Sequence, residues 1–178
     1  MYVSRMREAM IIWIYGLSGV GKSTIGRSLA KHIRERQTTV IEIDGDMIRE
    51  MFGNDLGFDL KSREIQIERI QKLAKALERQ YPVIIVTALF ANQSLTERNR
   101  RLFTNYFEIY LSAPLETLYT RDTKGLYSKV KSGKTKNVVG VDLEWKAPET
   151  QDLQIDTSIT SLEDSTSWIL SRLKFTDL

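Results

Sequence analysis

The sequence predicts an α/β fold in which a central, mostly parallel, five-stranded sheet is flanked by helices. The first observation behind this prediction is a series of short apolar runs, rich in branched residues, separated by segments of helical period. The predicted strands are Ile11–Tyr15, Thr39–Ile43, Val83–Leu89, Phe107–Leu111 and Leu153–Asp156. Strands that alternate with helices are typical of a parallel sheet, because each connection must return the chain to the same end of the sheet.

Helical periodicity is the second observation. Predicted helices cover Ser23–Arg36 and Arg63–Gln80, with a short one near Leu115–Arg121. A last helix is expected after Ser161, because a serine N-cap followed three residues later by Asp164 marks a helix start. We expect these helices to pack on the sheet.

A glycine-rich segment directly after the first predicted strand is the third observation. Residues 16–23 fit the pattern Gly-x4-Gly-Lys-Ser/Thr of a P-loop, with glycines at Gly16, Gly19 and Gly21. In this motif backbone N–H groups surround a phosphate, Lys22 reaches the outer phosphates and Ser23 ligates Mg²⁺. The sequence therefore predicts a nucleotide-binding protein of the P-loop NTPase fold that binds Mg²⁺.

Composition limits the other possibilities. With 178 residues and 42% hydrophobic content, residues 1–178 are expected to form a single domain. The absence of cysteine excludes disulfides and thiolate chemistry and suits a reducing compartment, so a cytoplasmic location is expected. The apolar run before Gly16 is too short for a signal or membrane segment, and no membrane partner is expected. A net charge of +3 fits anionic small molecules as readily as nucleic acid.

Two carboxylates follow the second predicted strand, in the sequence Asp44-Gly45-Asp46 with Arg49 three residues later. Ligands of doubly wound sheets bind at the carboxyl ends of the strands, where this segment would lie. One aspartate could hold a Mg²⁺-bound water or accept the proton of an attacking hydroxyl. In isolation the tripeptide is also an ordinary turn sequence.

A lysine-rich connection, Thr123–Lys146, interrupts the alternation of strands and helices. The plain interpretation of such a segment is a solvated basic loop. Beside a P-loop, however, a mobile cationic lid would exclude water and neutralise phosphate charge. We therefore expect residues 121–148 to form a lid.

Several of these motifs together resemble the adenylylsulfate (APS) kinase family. The matching segments are Asp44-Gly45-Asp46-x-x-Arg49, Asp55-Leu-Gly-Phe58, Arg63, Thr87-Ala88, Ala113-Pro114-Leu115-Glu116, Arg121-Asp122-x-Lys124-Gly125-Leu126-Tyr127-x-Lys129, Lys136-Asn137 and Gly140-x-Asp142. The resemblance runs from about Ile11 to Asp156. It implies transfer of the ATP γ-phosphoryl group to the 3′-hydroxyl of a nucleotide, usually giving 3′-phosphoadenylylsulfate, and a homodimer.

The resemblance also implies roles for individual residues. ATP would be bound by Gly16, Ser18, Gly19, Gly21, Lys22, Ser23 and Thr24, with Arg121 and Lys124 of the lid. Ser23 and Asp44 would hold Mg²⁺, and Lys22, Asp44 and Asp46 would be catalytic. The acceptor nucleotide would contact Asp46, Arg49, Phe58, Arg63, Gln66, Lys124, Gly125, Leu126, Lys136 and Val138. Arg49 and Arg63 would hold its phosphate and sulfate, and Phe58 would stack on its base.

The differences from the family pattern lie on the acceptor side. Gln66 replaces an asparagine, residues 89–94 replace a Phe-Ile-Ser-Pro-x-Arg stretch, and Val138 replaces a phenylalanine that with Phe58 would sandwich the adenine. Ala91 stands at the serine position of that stretch. Two acceptors therefore stay open: adenylylsulfate, or a cytidine nucleotide such as cytidine diphosphoramidate in capsule biosynthesis.

Two other classes of protein are alternatives to a kinase. A nucleotide-dependent switch would also need residues 16–23, but it has no reason to keep the acceptor arginines. Nucleic-acid binding through residues 124–136 would need stacking platforms, and Tyr127 is the only aromatic residue there. A nucleic-acid partner is therefore not expected.

Overall fold

The computed structural model describes residues 9–122 and 125–173. Its centre is one sheet whose strand order is β2-β3-β1-β4-β5. The strands are β1 (Met10–Tyr15), β2 (Val40–Asp44), β3 (Val83–Ala88), β4 (Tyr106–Ser112) and β5 (Leu153–Asp156). Every strand pair among the described residues is parallel. The prediction of a parallel, five-stranded α/β fold is confirmed, with strand ends that differ from the predicted ones by one residue.

Strand β1 lies at the middle of the sheet and is covered on both faces. It pairs with β3 and β4, so that Ile11 lies beside Ile84 on one side and Tyr106 on the other. Residues 11–15 are all buried. Burial on both faces is the physical reason why β1 and β3 have continuous apolar sequences instead of alternating ones.

Helices cover the two faces of the sheet. They are α1 (Lys22–Glu35), α2 (Gly45–Met51), α3 (Leu60–Leu77), α4 (Gln93–Leu102), α5 (Leu115–Thr120), α6 (Leu126–Lys131) and α7 (Leu162–Arg172). On one face, Leu29 of α1 and Ile169 of α7 share a core with Ile12. On the other face, Ile70 of α3 and Leu95 of α4 share a core with Trp13. The sheet is thus sandwiched between two helical layers.

Three helices were not predicted, and one begins earlier than expected. Helices α2 and α6 are short, and α4 has few apolar positions, so periodicity does not identify them. Helix α3 begins at Leu60 and not at Arg63, because the Asp59 carboxylate caps it by accepting a hydrogen bond from Ser62 N–H. The lid is therefore partly helical and not one long loop.

The topology brings functional segments to one edge of the sheet. Asp44 at the end of β2 is in register with Thr87 of β3, and Tyr15 at the end of β1 is in register with Ala88. The P-loop follows Tyr15, and α2 follows Asp44. Along the part of the chain that the structure describes, no helix is both long and apolar enough to cross a membrane.

Candidate active site

The P-loop backbone has a shape that only glycine fits at its first position. Gly16 has a φ of +149°, and a Cβ there would lie 2.2 Å from the carbonyl oxygen of Leu111. Gly21 has a φ of +97° and ends the loop as the N-cap of α1. No side chain caps this 14-residue helix, and its first turn has no acidic residue. Its N-terminal N–H groups therefore suit an anion.

Lys22 and Ser23 form the first turn of α1 and both contact neighbouring segments. The Lys22 ammonium group donates a hydrogen bond to the carbonyl of Leu17 over 2.8 Å, so it curls back over the loop. The Ser23 hydroxyl donates to a carboxylate oxygen of Asp44 over 2.6 Å. The P-loop and the end of β2 are thus joined directly.

Asp44 is the most heavily hydrogen-bonded carboxylate of the site. One of its oxygens accepts from the hydroxyls of Ser23 and Thr87, and the other accepts from the N–H groups of Asp46 and Met47 at the start of α2. Burial opposes ionisation of Asp44, but these hydrogen bonds outweigh burial and lower its pKa. Asp44 is therefore an ionised carboxylate at neutral pH and a poor proton acceptor.

The residues present fit a magnesium ion. The Ser23 hydroxyl and the Asp44 carboxylate are hard oxygen ligands, 2.6 Å apart, beside the anion-binding end of α1. Among residues 9–122 and 125–173, no group of three or more acidic or histidine side chains is placed to bind a metal. Mg²⁺ in phosphoryl-transfer enzymes is held by one or two protein ligands together with phosphates and water, which matches this donor set.

A cavity of about 900 Å³ extends from the P-loop to the lid. Most of the predicted site residues line it: Ser18, Gly19, Gly21, Lys22, Ser23, Thr24, Asp44, Asp46, Arg49, Phe58, Arg63, Gln66, Arg121, Leu126, Lys136 and Val138. Gly16, the first residue of the loop, is not part of the cavity lining. Gly125 does not line the cavity either, and it serves as the left-handed N-cap of α6. Lys124 lies outside the described residues.

The part of the cavity that the sequence predicts to bind the acceptor contains two arginines beside one phenylalanine. Arg63 is only 8% exposed, and its burial lowers the pKa of the guanidinium to about 10, which leaves it charged at neutral pH. Arg49 donates to the carbonyls of Leu56 and Gly57. The guanidinium carbons of Arg49 and Arg63 lie 4.7 Å and 5.7 Å from the ring centre of Phe58. Two cations and an aromatic surface suit an anionic group attached to a base.

Two of the acceptor-side differences in the sequence, Gln66 and Val138, lie in the lining of the cavity. Gln66 is buried and donates through its amide nitrogen to the carbonyl of Gly45, while its amide oxygen has no hydrogen-bond partner among the described residues. Val138 is 4% exposed, whereas Phe58 is 52% exposed. These two residues of the cavity lining therefore differ, since Phe58 is a half-exposed aromatic ring and Val138 is a buried aliphatic side chain.

The lid contacts the P-loop at two points. The Tyr127 hydroxyl of α6 donates to the carbonyl of Ser18 over 2.8 Å. Gly140 lies against the side chain of Leu17, where a Cβ would approach to 3.0 Å. Arg121, at the start of the lid, donates to the carbonyl and hydroxyl oxygens of Thr157. These contacts place the predicted lid segment beside the P-loop at the edge of the cavity.

Three contributors to the site were not assigned a role from sequence. Thr87 supports Asp44, Thr157 holds Arg121, and the backbone carbonyl of Asn137 accepts a hydrogen bond from Arg63. Thr87 carried a usable signal, because a polar residue ends an otherwise apolar strand. Thr157 and Asn137 act through tertiary contacts that leave no local pattern.

Comparison with known proteins gives one consistent family. The family model for adenylylsulphate kinase matches residues 8–156. An adenylyl-sulfate kinase of Prochlorococcus marinus is 38% identical over 172 residues, covering 95% of this chain and 85% of that protein. A cytidine diphosphoramidate kinase of Campylobacter jejuni is 37% identical, covering 92% of this chain and 95% of that protein.

The fold is similar to that of a solved member as well. The structure of the Mycobacterium tuberculosis APS kinase in complex with AMPPNP and APS superposes with a TM-score of 0.86 at 25% identity, covering 92% of this chain and 96% of that one. The sequence match, the fold match and the P-loop site agree. The chain therefore belongs to the adenylylsulfate kinase family and is an ATP-dependent phosphotransferase.

Proposed function

We propose that this kinase transfers the γ-phosphoryl group of ATP to the 3′-hydroxyl of adenylylsulfate. The observation that carries the proposal is the convergence of three features on one cavity: the P-loop, the carboxylates that follow β2, and the arginine pair beside Phe58. A phosphoryl donor site and an anion-binding acceptor site facing each other are what in-line transfer requires.

The donor side would act through fixed positive groups. The N–H groups of the P-loop and the start of α1 would bind the phosphates, and Lys22 would exchange its contact with Leu17 for the outer phosphates of ATP. When bound through Ser23 and Asp44, Mg²⁺ would neutralise charge on the phosphates. Arg121 and Thr157 would border the adenosine end of the cavity.

Asp44 and Asp46 would have different roles in the transfer. Asp44 already accepts four hydrogen bonds and has a lowered pKa, so we assign it to the metal and to the support of the P-loop. Asp46 lines the cavity at the start of α2 and would orient the 3′-hydroxyl and accept its proton. No covalent phosphoenzyme is required, since the acceptor hydroxyl can attack ATP directly.

The acceptor would be held by charge and by stacking. Arg49 and Arg63 would bind its phosphate and sulfate, and half-exposed Phe58 would contact its base. Lys136 lines the cavity beside Val138 and would add a positive charge over the bound nucleotide. Closure by the lid would then exclude water from the transferring group.

A second acceptor, a cytidine nucleotide such as cytidine diphosphoramidate, is favoured by one observation. Val138 presents an aliphatic surface where a second aromatic ring would complete a sandwich around adenine, so a smaller base loses less by binding here. The relative from Campylobacter jejuni makes this the specific alternative. Both acceptors use the same donor side and the same direction of transfer.

A coupled assay of ATP consumption would decide between these acceptors. Adenylylsulfate and cytidine diphosphoramidate are offered separately at matched concentrations, and kcat/KM is compared. A higher value for adenylylsulfate is the expected result. A higher value for the cytidine compound would replace the first proposal with the second, and ATP hydrolysis without either product would refute both.

The expected homodimer and cytoplasmic location remain proposals. The dimer is supported by partly exposed apolar side chains on α2 and at the start of α3: Met47, Met51, Phe52, Leu60 and Ile65. Several exposed apolar side chains on neighbouring elements are a feature of protein interfaces. Light scattering of the purified protein should give twice the chain mass, and Met51→Lys should shift it toward the single-chain mass.

A further inference from the structure

The segment between Asn137 and Leu143 is a closed turn held by one carboxylate. The two oxygens of Asp142 accept hydrogen bonds from the N–H groups of Asn137 and Val138, over 2.8 Å and 2.6 Å. The carbonyl of Val138 accepts in return from the N–H groups of Val141, Asp142 and Leu143. Asp142 thus closes the turn from the outside, with one oxygen for each N–H group. We call residues 137–143 the lid turn.

The lid turn presents a backbone carbonyl to the acceptor site. Asn137 has a left-handed backbone, with a φ of +64°, and its carbonyl accepts a hydrogen bond from Arg63 over 2.8 Å. The same guanidinium donates through its Nε to the carbonyl of Phe58 over 2.8 Å. The carbonyls of Phe58 and Asn137 therefore fix the plane of this buried guanidinium. Arg63 and Asn137 are 74 residues apart in the sequence.

Three other residues of the lid turn pack against the rest of the protein. Val138 and Val139 are buried, each in one of the two cores. Gly140 packs against Leu17, the residue whose carbonyl accepts from Lys22. These contacts fix the position of the lid turn on the rest of the protein. The orientation of the Asn137 carbonyl then depends on the hydrogen bonds that Asp142 accepts from the N–H groups of Asn137 and Val138.

We propose that Asp142 is a positioning residue for the acceptor: by holding the N–H groups of Asn137 and Val138, it aims the Asn137 carbonyl that orients the Arg63 guanidinium. The inference rests on the proposed role of Arg63 in binding the acceptor's anionic group. Asp142 itself is exposed and is not part of the cavity lining. Its effect reaches the reaction through the angle and position of Arg63.

A purely structural role for Asp142 predicts a different result. If the carboxylate only stabilised the lid, its loss would weaken binding of ATP and of the acceptor alike, because the lid covers both. A positioning role through Arg63 predicts that only the acceptor is affected. The KM for each substrate separates the two cases.

The substitution Asp142→Asn tests this proposal. The amide keeps the size of the side chain but turns one acceptor oxygen into a donor that faces a backbone N–H group. We expect KM for the acceptor to rise about tenfold, as for loss of one charge-assisted hydrogen bond, with KM for ATP and kcat nearly unchanged. Glu144→Gln is the matched control, because it removes the same charge from an exposed position two residues away.

A second variant tests whether the effect passes through Arg63. In an Arg63→Lys background the planar guanidinium is absent, so adding Asp142→Asn should change KM for the acceptor by less than it does in the wild type. Full additivity of the two substitutions, or equal changes in both KM values, would overturn the proposal. If Asp142→Asn does not fold, Asp142→Ser, whose hydroxyl can still accept from one N–H group, replaces it.

One readout needs no substrate. Hydrogen exchange at the amides of Asn137 and Val138 should be faster in Asp142→Asn than in the wild type or in Glu144→Gln, and unchanged exchange would overturn the inference at its first step. If the wild-type protein phosphorylates neither acceptor, the proposed function fails. The exchange measurement would still test whether Asp142 holds the two N–H groups, because it needs no substrate. The kinetic test uses whichever acceptor the wild type phosphorylates.

Discussion

The donor side and the acceptor side of the cavity are built in different ways. On the donor side, the phosphate-binding part relies on contacts between residues close in sequence or at the ends of adjacent strands, such as Lys22 with Leu17 and Asp44 with Thr87, and the lid adds a longer contact from Tyr127 to Ser18. On the acceptor side, Arg63 reaches the lid at Asn137, and Gln66 reaches Gly45. The donor site is thus set by the sheet, and the acceptor site by packing of α2, α3 and the lid.

This difference explains where variation is tolerated. A backbone loop with Gly16 against the Leu111 carbonyl accepts no side chain at that position, so its sequence has little freedom. The acceptor pocket is made of side chains on separate elements, and each can change size without moving the sheet. A family can therefore keep one phosphoryl donor while its acceptor changes, as the two kinds of relative illustrate.

The largest expected effect belongs to the donor side. Lys22→Ala should lower kcat by at least about a hundredfold, because one preorganised positive group near the transferring phosphoryl is removed. The fold should remain, since the side chain makes its described contact with a loop carbonyl and not with the core. Lys31→Ala, at an exposed position of the same helix, is the control. Turnover of Lys22→Ala near the wild-type value would contradict the P-loop assignment.

Asp44→Asn should reduce both activity and stability, which would distinguish it from Asp46→Asn. The amide cannot accept all four hydrogen bonds, so we expect a loss of about 1–2 kcal/mol in the free energy of unfolding. Asp46→Asn should lower kcat with a smaller change in stability. Chemical denaturation and steady-state kinetics of both variants check this division, and equal stability of the two would remove the structural role of Asp44.

The lowered pKa of Asp44 adds a pH dependence with a fixed sign. A carboxylate whose pKa is lower in the folded state stabilises the protein above its ordinary pKa of 3.8, and that contribution is lost as pH falls through the folded-state value. The stability difference between wild type and Asp44→Asn should therefore shrink as pH falls from about 6 to about 3. A difference that grows on acidification would show that the pKa is raised instead.

The sequence was sufficient to predict the parts of the site that are formed by residues close together in the chain. The strand before Gly16, the P-loop and the aspartates after β2 could be predicted, because each depends on neighbouring residues and on the position of strand ends. The helix α2 could not, because Asp44-Gly45-Asp46 has the composition of a turn until Asp44 is seen to cap a helix. The Arg63–Asn137 contact could not be predicted either, since only tertiary packing brings these residues together.

Phe58→Ala is expected to have an intermediate effect confined to the acceptor. Loss of one base-stacking ring should raise KM for the acceptor about tenfold and leave KM for ATP unchanged. Phe52→Ala is a matched control, because Phe52 is 51% exposed, carries the Arg69 guanidinium 4.4 Å from its ring centre and does not line the cavity. If both substitutions raise KM equally, the effect would belong to the connection between α2 and α3 and not to base stacking.

Val138→Phe should give the smallest change and the finest test of the comparison. A ring at this position would add a stacking surface opposite Phe58, raising kcat/KM for adenylylsulfate relative to a cytidine acceptor by about fivefold, at the low end for one base–aromatic contact. Because Val138 of the lid turn is buried in one of the two cores, the larger side chain must also displace its neighbours, at a cost of about 1–3 kcal/mol in stability. The ratio of the two kcat/KM values cancels a general loss of active protein. A rise in that ratio would show that the acceptor side alone sets the choice of base, and an unchanged ratio would place that choice elsewhere in the pocket, with Gln66 and its unpartnered amide oxygen as the next residue to vary.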